Sequence, residues 1–213
     1  MTSYNAVKLF NEIERVAKSE LSVTEGLLRI IQFCGTTRPH PDWSALRTLD
    51  VESDLRRLQQ WLETIMRTTP PPAPITGLWF GLFNPTVRGR VTADVHLIGA
   101  PYDATDPDWL FRERWGKGTP DSGSTVLDSI YQVAYGHEDG LGNDAEYPLA
   151  LAYAALAVRH LARLMGPTLL GNATQRVLNV GFDSGDFLCI GAIQKDGLIF
   201  SENSEVMAPW KGG

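Results

Sequence analysis

The sequence predicts an α+β fold in which an antiparallel sheet of four to five strands packs against helices and follows a helical N-terminal section. Two observations carry this prediction. Helical periodicity dominates residues 1–69, whereas strand-like alternation and short apolar runs recur between residues 75 and 200, with two helices among them. The elements therefore come in runs of one type, and such runs favour α+β over a regularly alternating α/β fold.

The chain is predicted to form one domain over residues 1–213. Its parts are a helical section (1–69), a proline-rich strap (70–74), a mixed section of sheet and helix (75–200) and a polar tail (201–213). Successive prolines cannot continue a helix and favour an extended segment, so the strap joins the two sections. About 70 residues of helix would bury only a small core alone, which argues against a separate N-terminal domain.

Capping signals define the helices of the first section. Ser22 and Glu25 have the spacing of a capping box, and Gly35 is predicted to end the helix that follows. Asp50 is predicted to cap the next helix. The apolar residues of that helix recur every three or four positions: Val51, Leu55, Leu58, Leu62 and Ile65.

Strands open and close the mixed section. The stretches ITGLWFGLFN and RVTADVHLIGA are predicted to form an antiparallel hairpin, because the second alternates apolar and polar residues. RVLNVGF and FLCIGAIQ are predicted to be central strands, since both are apolar on two faces. Asp196-Gly197 is predicted to be the turn into a last short strand.

Two helices separate these groups of strands. The first is predicted over residues 124–135. The second, EYPLALAYAALAVRHLARLMG, has proline in its first turn and is predicted to end at Gly166. Its apolar residues cover most of the helix circumference, so it is predicted to be the central, buried helix.

Composition narrows the kinds of partner. Lysine and arginine number 19 against 25 acidic residues, a formal charge of −6, so nucleic acid, which requires a basic face, is not predicted as a partner. No stretch approaches the roughly 18 apolar residues of a membrane span, and the charged N-terminus does not resemble a signal peptide. Cys34 and Cys189 lie in separate apolar runs and are predicted to be buried, reduced thiols of a cytoplasmic protein.

The stretch Asp183-Ser184-Gly185-Asp186 raises the question of a nucleophilic serine. The nucleophile motif of the α/β-hydrolases is Gly-x-Ser-x-Gly on a strand-to-helix turn, but Ser184 stands one position too late and a strand comes after it. Aspartate, serine and glycine are also typical of tight turns. The stretch is therefore predicted to be a hairpin corner.

No metal or cofactor is predicted. Asp103, Asp106 and Asp108 lack the glycine and glutamate spacing of a calcium-binding loop. His137 has no second histidine at the spacing of a zinc protease, and a zinc site would need histidines to converge from distant parts of the chain. The glycine patterns lack both the dinucleotide fingerprint and the Walker lysine, so nucleotide binding is not predicted.

The aromatic loop WLFRERW is the predicted partner-binding surface. Trp109, Arg112 and Trp115 are residue types that dominate the centres of protein interfaces. The acidic stretch that borders them contains Asp103, Asp106 and Asp108. The alternative is that the two tryptophans pack down over the sheet and cover it.

The sequence supports two functional hypotheses. The first is a non-enzymatic, cytoplasmic module that binds another protein, with a basic partner favoured, such as a bacterial immunity protein that caps a toxin. The second is a small-molecule enzyme or binder with a pocket between the sheet and the central helix, where His96 would meet Asp94, Asp183 and Asp186. An exposed tryptophan patch would favour the first, and His96 bonded to a carboxylate in a concave pocket would favour the second.

Overall fold

The computed structural model describes residues 5–106, 108–112, 114–183 and 185–200. The helices are α1 (Ala6–Ala17), α2 (Val23–Thr37), α3 (Trp43–Leu46), α4 (Val51–Thr68), α5 (Thr125–Tyr135) and α6 (Asn143–Leu170). The strands are β1 (Gly77–Phe83), β2 (Thr86–Val87), β3 (Arg90–Val91), β4 (Asp94–Ala100), β5 (Gln175–Phe182), β6 (Phe187–Gln194) and β7 (Gly197–Phe200). The predicted tail, 201–213, lies outside the described residues.

The predicted helix starts of the first section are confirmed. The Ser22 hydroxyl accepts from the Glu25 N–H at 3.2 Å, and the Ser22 N–H donates to the Glu25 carboxylate at 2.9 Å. Asp50 accepts from the Ser53 N–H at 3.1 Å. The predicted stop at Gly35 is wrong, because α2 continues to Thr37. Gly35 lies against the Trp43 ring, where an added Cβ would make ordinary van der Waals contact at 3.4 Å.

The sheet is mixed, which corrects the prediction that it is antiparallel throughout. Its strand order is β4-β1-β5-β6-β7. β1 runs parallel to β5, with Gly77 opposite Val177 and Leu82 opposite Phe182, while the other neighbours are antiparallel. Between β4 and β5 the chain passes through α5 and α6, the kind of helical crossover that a parallel neighbour requires. The α+β class itself is confirmed.

Helix α6 is the central helix of the fold, as predicted. It contacts α1, α2, α4 and α5 on one side and the sheet on the other, so the helical section shares its core. By length and composition it could cross a membrane, but 83% of its most apolar window is buried within the protein, as in the core helix of a soluble protein. The predicted stop at Gly166 is wrong. The backbone departs from helical geometry at Met165, two residues before Pro167, and then continues to Leu170.

A loop covers the outer edge of β4. Trp115 forms an antiparallel bridge with Gly99, and the Ser122 N–H donates to the Val95 carbonyl at 3.1 Å. The Thr119 hydroxyl donates to the Leu97 carbonyl at 3.3 Å. These bonds satisfy backbone groups that an open edge strand would present to solvent. The same loop forms one wall of a concave surface beside His96.

Candidate functional site

His96 and Asp183 form a hydrogen-bonded pair although 87 positions separate them in the chain. The His96 Nε2 atom lies 2.9 Å from one oxygen of the Asp183 carboxylate and 3.0 Å from the other. Sheet register explains the approach. His96 lies opposite Gly81 of β1, Gly81 lies opposite Gly181 of β5, and Asp183 comes directly after that strand.

Two residues of β1 hold this pair in place. The buried Trp79 indole N–H donates to the Asp183 carboxylate at 3.1 Å. Gly81 lies beneath the pair, where a Cβ would be 2.2 Å from His96 Nε2 and 2.4 Å from the Asp183 carboxylate. Only glycine leaves the space that the three side chains occupy. We call Trp79, Gly81, His96 and Asp183 the His96 cluster.

The His96 cluster opens onto a concave surface of about 330 Å³ beside the covered edge of β4. The residues that line it include Phe83, His96, Lys117, Thr119, Asp121 and Asp183. We call this surface the acidic depression, because it contains the exposed Asp121 and an Asp183 side chain that is 46% exposed. It is open to solvent, so a group carried by another molecule can reach both carboxylates.

The depression is not where the small-molecule hypothesis placed its pocket. Helix α6 packs on the sheet face that carries Phe80 and Val95, and the apolar void there measures only about 10 Å³. His96 follows Val95 in β4, and successive side chains of a strand point to opposite faces. The predicted pocket between the sheet and the central helix is therefore wrong, because the core fills that space.

Asp94 does not join the His96 cluster through a hydrogen bond. It is buried, and its carboxylate accepts from the Ser122 hydroxyl and from the Gly123 N–H, the second at 3.0 Å. It also accepts from the Ser124 N–H at 3.3 Å. These bonds hold the loop that leads into α5. The predicted convergence of Asp94 with His96 is wrong, because the Asp94 carboxylate is hydrogen-bonded to this loop instead.

Asp186 is held on the other side of its loop. The Tyr147 hydroxyl donates to the Asp186 carboxylate at 2.6 Å, and the Tyr147 ring stacks on Phe182 at 5.5 Å. Burial raises the pKa of the Tyr147 hydroxyl, and the hydrogen bond to Asp186 adds to this effect. The loop between β5 and β6 is thus held at two separate points. Asp183 bonds to His96 and Trp79, and Asp186 bonds to Tyr147. Ser184, between them, lies outside the described residues.

The surroundings of Asp121 disfavour the negatively charged form of its side chain. Burial raises the pKa of its carboxyl group, and the negative charge of Asp94 raises it further. His96 acts in the opposite direction, but the balance still disfavours the carboxylate form. Loss of hydration and the charge of Asp94 thus outweigh the effect of His96 on the Asp121 carboxyl group, although Lys117 also lines the depression.

The exposed tryptophan patch predicted from the sequence is not present. Trp109 is only 6% exposed and lies over Gly77, where a Cβ would be 2.5 Å from its ring. Trp115 is 7% exposed, and its indole N–H donates to the Thr69 carbonyl at 3.0 Å. The two rings pack onto the sheet and the strap because that placement buries their apolar area.

The polar residues around these tryptophans make local contacts. Arg112 is exposed and forms an ion pair with Asp106 at 2.8 Å. Asp103 accepts from the Thr105 hydroxyl at 2.7 Å and from the Thr105 N–H at 2.9 Å, and these bonds lower the pKa of Asp103. Asp106 accepts from the Asp108 N–H at 3.0 Å. These are turn-forming contacts. A partner-binding role for Asp103, Asp106, Asp108 and Arg112 stays a prediction.

Sequence reasoning missed three residues of the site. Trp79 and Gly81 were assigned only to a strand, although a glycine inside a strand can indicate a close approach of other groups. Asp121 lay within a loop, GTPDSGS, with nothing to connect it to His96.

In the described part of the chain, no group of three or more His, Cys, Asp or Glu side chains is arranged to hold a metal ion.

The arrangement supports two kinds of chemistry. The carboxylates of Asp121 and Asp183, the second of them held by Trp79 and His96, can bind a cationic group. The imidazole paired with Asp183 can exchange a proton with a bound molecule. Comparisons of this chain with protein-family models, with curated proteins and with solved structures found no match.

Proposed function

We propose that this protein is a non-enzymatic module that binds another protein, and that a basic side chain of the partner enters the acidic depression. The observation that carries the proposal is the fixed and accessible Asp183 carboxylate. Trp79 and His96 hold it in one position, and almost half of the side chain remains exposed. A carboxylate ordered before binding loses little conformational entropy when a partner arrives.

Asp121 adds an electrostatic reason for a cationic partner group. Its raised pKa reflects burial and the nearby charge of Asp94, both of which destabilise the carboxylate. A lysine or arginine side chain entering the depression would offset that repulsion and pair with Asp121 and Asp183 together. Binding would therefore relieve an unfavourable interaction of the free protein.

The whole-chain charge is in keeping with this proposal. A net charge of −6 favours encounter with a basic partner and disfavours nucleic acid. One concrete version is a bacterial immunity protein that caps a basic toxin in the cytoplasm. The proposal needs no cofactor, and its interface is centred on the depression because Trp109 and Trp115 are buried.

A charge-matched pair of variants tests the proposal. The probe is a fluorescein-labelled octa-arginine peptide, and its binding is followed by fluorescence anisotropy. Asp121→Asn/Asp183→Asn is expected to weaken binding about tenfold, because it removes both carboxylates of the depression. Glu52→Gln/Glu63→Gln removes two exposed charges on α4 and is expected to change binding by less than about twofold. Equal losses in the two double variants would show that only net charge matters and would sink the proposal.

The Asp121→Asn variant alone is expected to be more stable than wild type at pH 7. Because the folded pKa of Asp121 is raised, the folded protein retains a proton that the unfolded chain loses as pH rises above the ordinary aspartate pKa. The free energy of unfolding falls over that range, and the cost persists at neutral pH. The asparagine variant avoids it.

Thermal unfolding measured at several pH values checks this expectation. The melting temperature of Asp121→Asn should exceed that of wild type at pH 7, and the difference should vanish near about pH 3, where the aspartate is protonated in both states. Glu138→Gln, at an exposed loop position, is the control and should show no such difference. A melting temperature for Asp121→Asn below that of wild type at pH 7 would contradict the electrostatic argument.

A second candidate function is a small-molecule binder or enzyme that uses His96 for proton transfer. This candidate meets one criterion set from the sequence, because His96 Nε2 bonds to the Asp183 carboxylate at the wall of a concave surface. That surface is an open depression and does not enclose a small molecule, which is why protein binding is proposed first. A screen of metabolites for thermal stabilisation tests it. A ligand of this site should stabilise wild type and the exposed-histidine control His160→Asn, but not His96→Asn. If no ligand distinguishes His96→Asn from the control, this candidate fails.

A further inference from the structure

Strands β2 and β3 form a small hairpin that begins three residues after Phe83, the last residue of β1 and one of the residues that line the acidic depression. It connects the end of β1 to the start of β4, and residues 86–91 are all exposed. At its tip, Arg88 has φ +52° and Gly89 has φ +77°. A two-residue turn of this type requires positive φ at both central positions, where asparagine and glycine are the favoured residues.

Arg88 is strained at this position. It is the only residue other than glycine with positive φ in the part of the chain that the structure describes. A side chain with a Cβ pays for this conformation in free energy, because the Cβ approaches the following carbonyl oxygen. Asparagine tolerates it better than arginine does. Strain that persists at one position points to a role for that residue outside folding.

No contact among the described residues compensates for this strain. The Arg88 guanidinium has no hydrogen-bond or ion-pair partner there, whereas its neighbour Arg90 pairs with Asp128 at 2.8 Å. The base of the hairpin is held firmly, since the Gln132 side chain donates to the Val91 carbonyl at 3.0 Å. Asn84 donates to the Thr92 carbonyl at 3.1 Å. The tip is thus presented on a fixed support.

The hairpin exposes an apolar side chain on each of its faces. Val87 lies opposite Arg90 on one face, and Val91 lies opposite Thr86 on the other. Their exposed fractions are 51% and 40%. Each face therefore carries one valine beside a polar residue, and both valines are buried only when a partner contacts the ribbon from two sides. The ribbon therefore fits a recess better than a flat surface.

We propose that the hairpin tip enters a carboxylate-lined recess of the partner protein, where Arg88 pairs with an aspartate or glutamate and the two valines contact apolar walls. This inference rests on the proposed function, because it describes a second contact of the same partner. Arg88 lies at the tip of the hairpin, while the depression, which reaches Phe83 near the base of the hairpin, carries carboxylates. An interface with charges of both signs fixes the orientation of the partner, because the reversed orientation places like charges together.

The Arg88→Asn variant separates binding from folding. Asparagine suits the turn, so the melting temperature is expected to rise. Loss of the guanidinium is expected to weaken about tenfold the binding of the protein that crosslinks from position 87 in the experiment below, measured with that protein purified. Arg88→Lys keeps the charge and should retain most of the binding. A fall in the melting temperature of Arg88→Asn would overturn the strain argument on which the inference depends.

Photo-crosslinking identifies what the hairpin touches. Benzoylphenylalanine replaces Val87 in the full chain, and the same replacement at the exposed Val7 of α1 is the control. After incubation in lysate of the source cells, mass spectrometry is expected to show one protein crosslinked from position 87 but not from position 7. Its crosslinked peptide should contain aspartate or glutamate, and Arg88→Asn should remove the crosslink. Crosslinks to nucleic acid, or equal crosslinks from both positions, would overturn the inference.

The two proposals can fail separately. A partner whose binding is lost in Asp121→Asn/Asp183→Asn but unchanged in Arg88→Asn would overturn the hairpin contact and leave the proposed function standing. A partner lost in Arg88→Asn but unchanged in the double variant would support the hairpin and overturn the role of the depression. Absence of any protein crosslinked from position 87, together with binding that is indifferent to all three substitutions, would overturn both.

Discussion

Replacement of Asp54 by alanine is expected to lower the free energy of unfolding by about 4 kcal/mol. Asp54 of α4 is fully buried and accepts from the Tyr153 hydroxyl at 2.6 Å and from the Ser124 hydroxyl at 2.6 Å. It also accepts from the Thr125 N–H at 2.7 Å. One carboxylate therefore joins α4, α5 and α6. Its removal leaves the hydroxyl groups of the buried Tyr153 and Ser124 without this acceptor.

Urea unfolding followed by circular dichroism checks this expectation. Asp50→Ala, at the exposed start of the same helix, removes one capping bond and is expected to cost only about 1 kcal/mol. Asp54→Asn keeps one acceptor oxygen and should fall between the two variants. Equal losses in the free energy of unfolding for Asp54→Ala and Asp50→Ala would contradict this argument. They would show that the buried carboxylate does not stabilise the contact between the three helices.

Replacement of Gly81 by alanine is expected to cost about 2 to 3 kcal/mol and to disrupt the His96 cluster. The added methyl group would lie within 2.5 Å of atoms of Trp79, His96 and Asp183. These side chains cannot all keep their positions, so the bond from His96 to Asp183 should break. Binding of the octa-arginine peptide should then weaken, because Asp183 loses its fixed position.

Gly185→Ala is the matched control for this substitution. Apart from the two chain neighbours of Gly185, no atom of the residues that the structure describes would lie within 4 Å of a Cβ at this position. Its stability is therefore expected to stay within about 0.5 kcal/mol of wild type. Urea unfolding of both variants, together with the imidazole resonances of His96 in NMR spectra, distinguishes them. An unchanged His96 environment in Gly81→Ala would show that the cluster tolerates the methyl group and would contradict the packing argument.

Local signals predicted much of the fold. Ser22 with Glu25 marks the start of α2, and Asp50 marks the start of α4; both signals depend only on residues within a few positions of one another. The burial of α6 followed from apolar residues around its circumference. These features depend on short-range chemistry, which is why the pattern of residues was sufficient for them.

Long-range features were beyond such reasoning. The parallel pairing of β1 with β5 joins Gly77 to Val177, and no local pattern distinguishes it from an antiparallel neighbour. The bond from His96 to Asp183 depends on that pairing, since it brings the end of β5 towards β4. The sequence therefore identified His96 and Asp183 as candidate site residues. It did not reveal the strand order that brings them together.

The two tryptophans show a different limit. Trp109 and Trp115 have the composition of an interface centre, but composition does not determine which surface a large ring covers. Gly77 leaves room for Trp109, and the Thr69 carbonyl provides an acceptor for Trp115. Both partners lie more than 30 positions earlier in the chain, so the loop sequence alone does not reveal them.

The position of β5 between β1 and β6 also has a consequence for synthesis on the ribosome. Strands β1 and β4 can pair as soon as they emerge, but the second edge of β1 waits for residues 175–182, which are translated after all of α5 and α6. Until then, the nascent chain presents an unpaired strand edge and the apolar face of α6 together. Such surfaces promote aggregation, so this interval is when the growing chain most needs a chaperone.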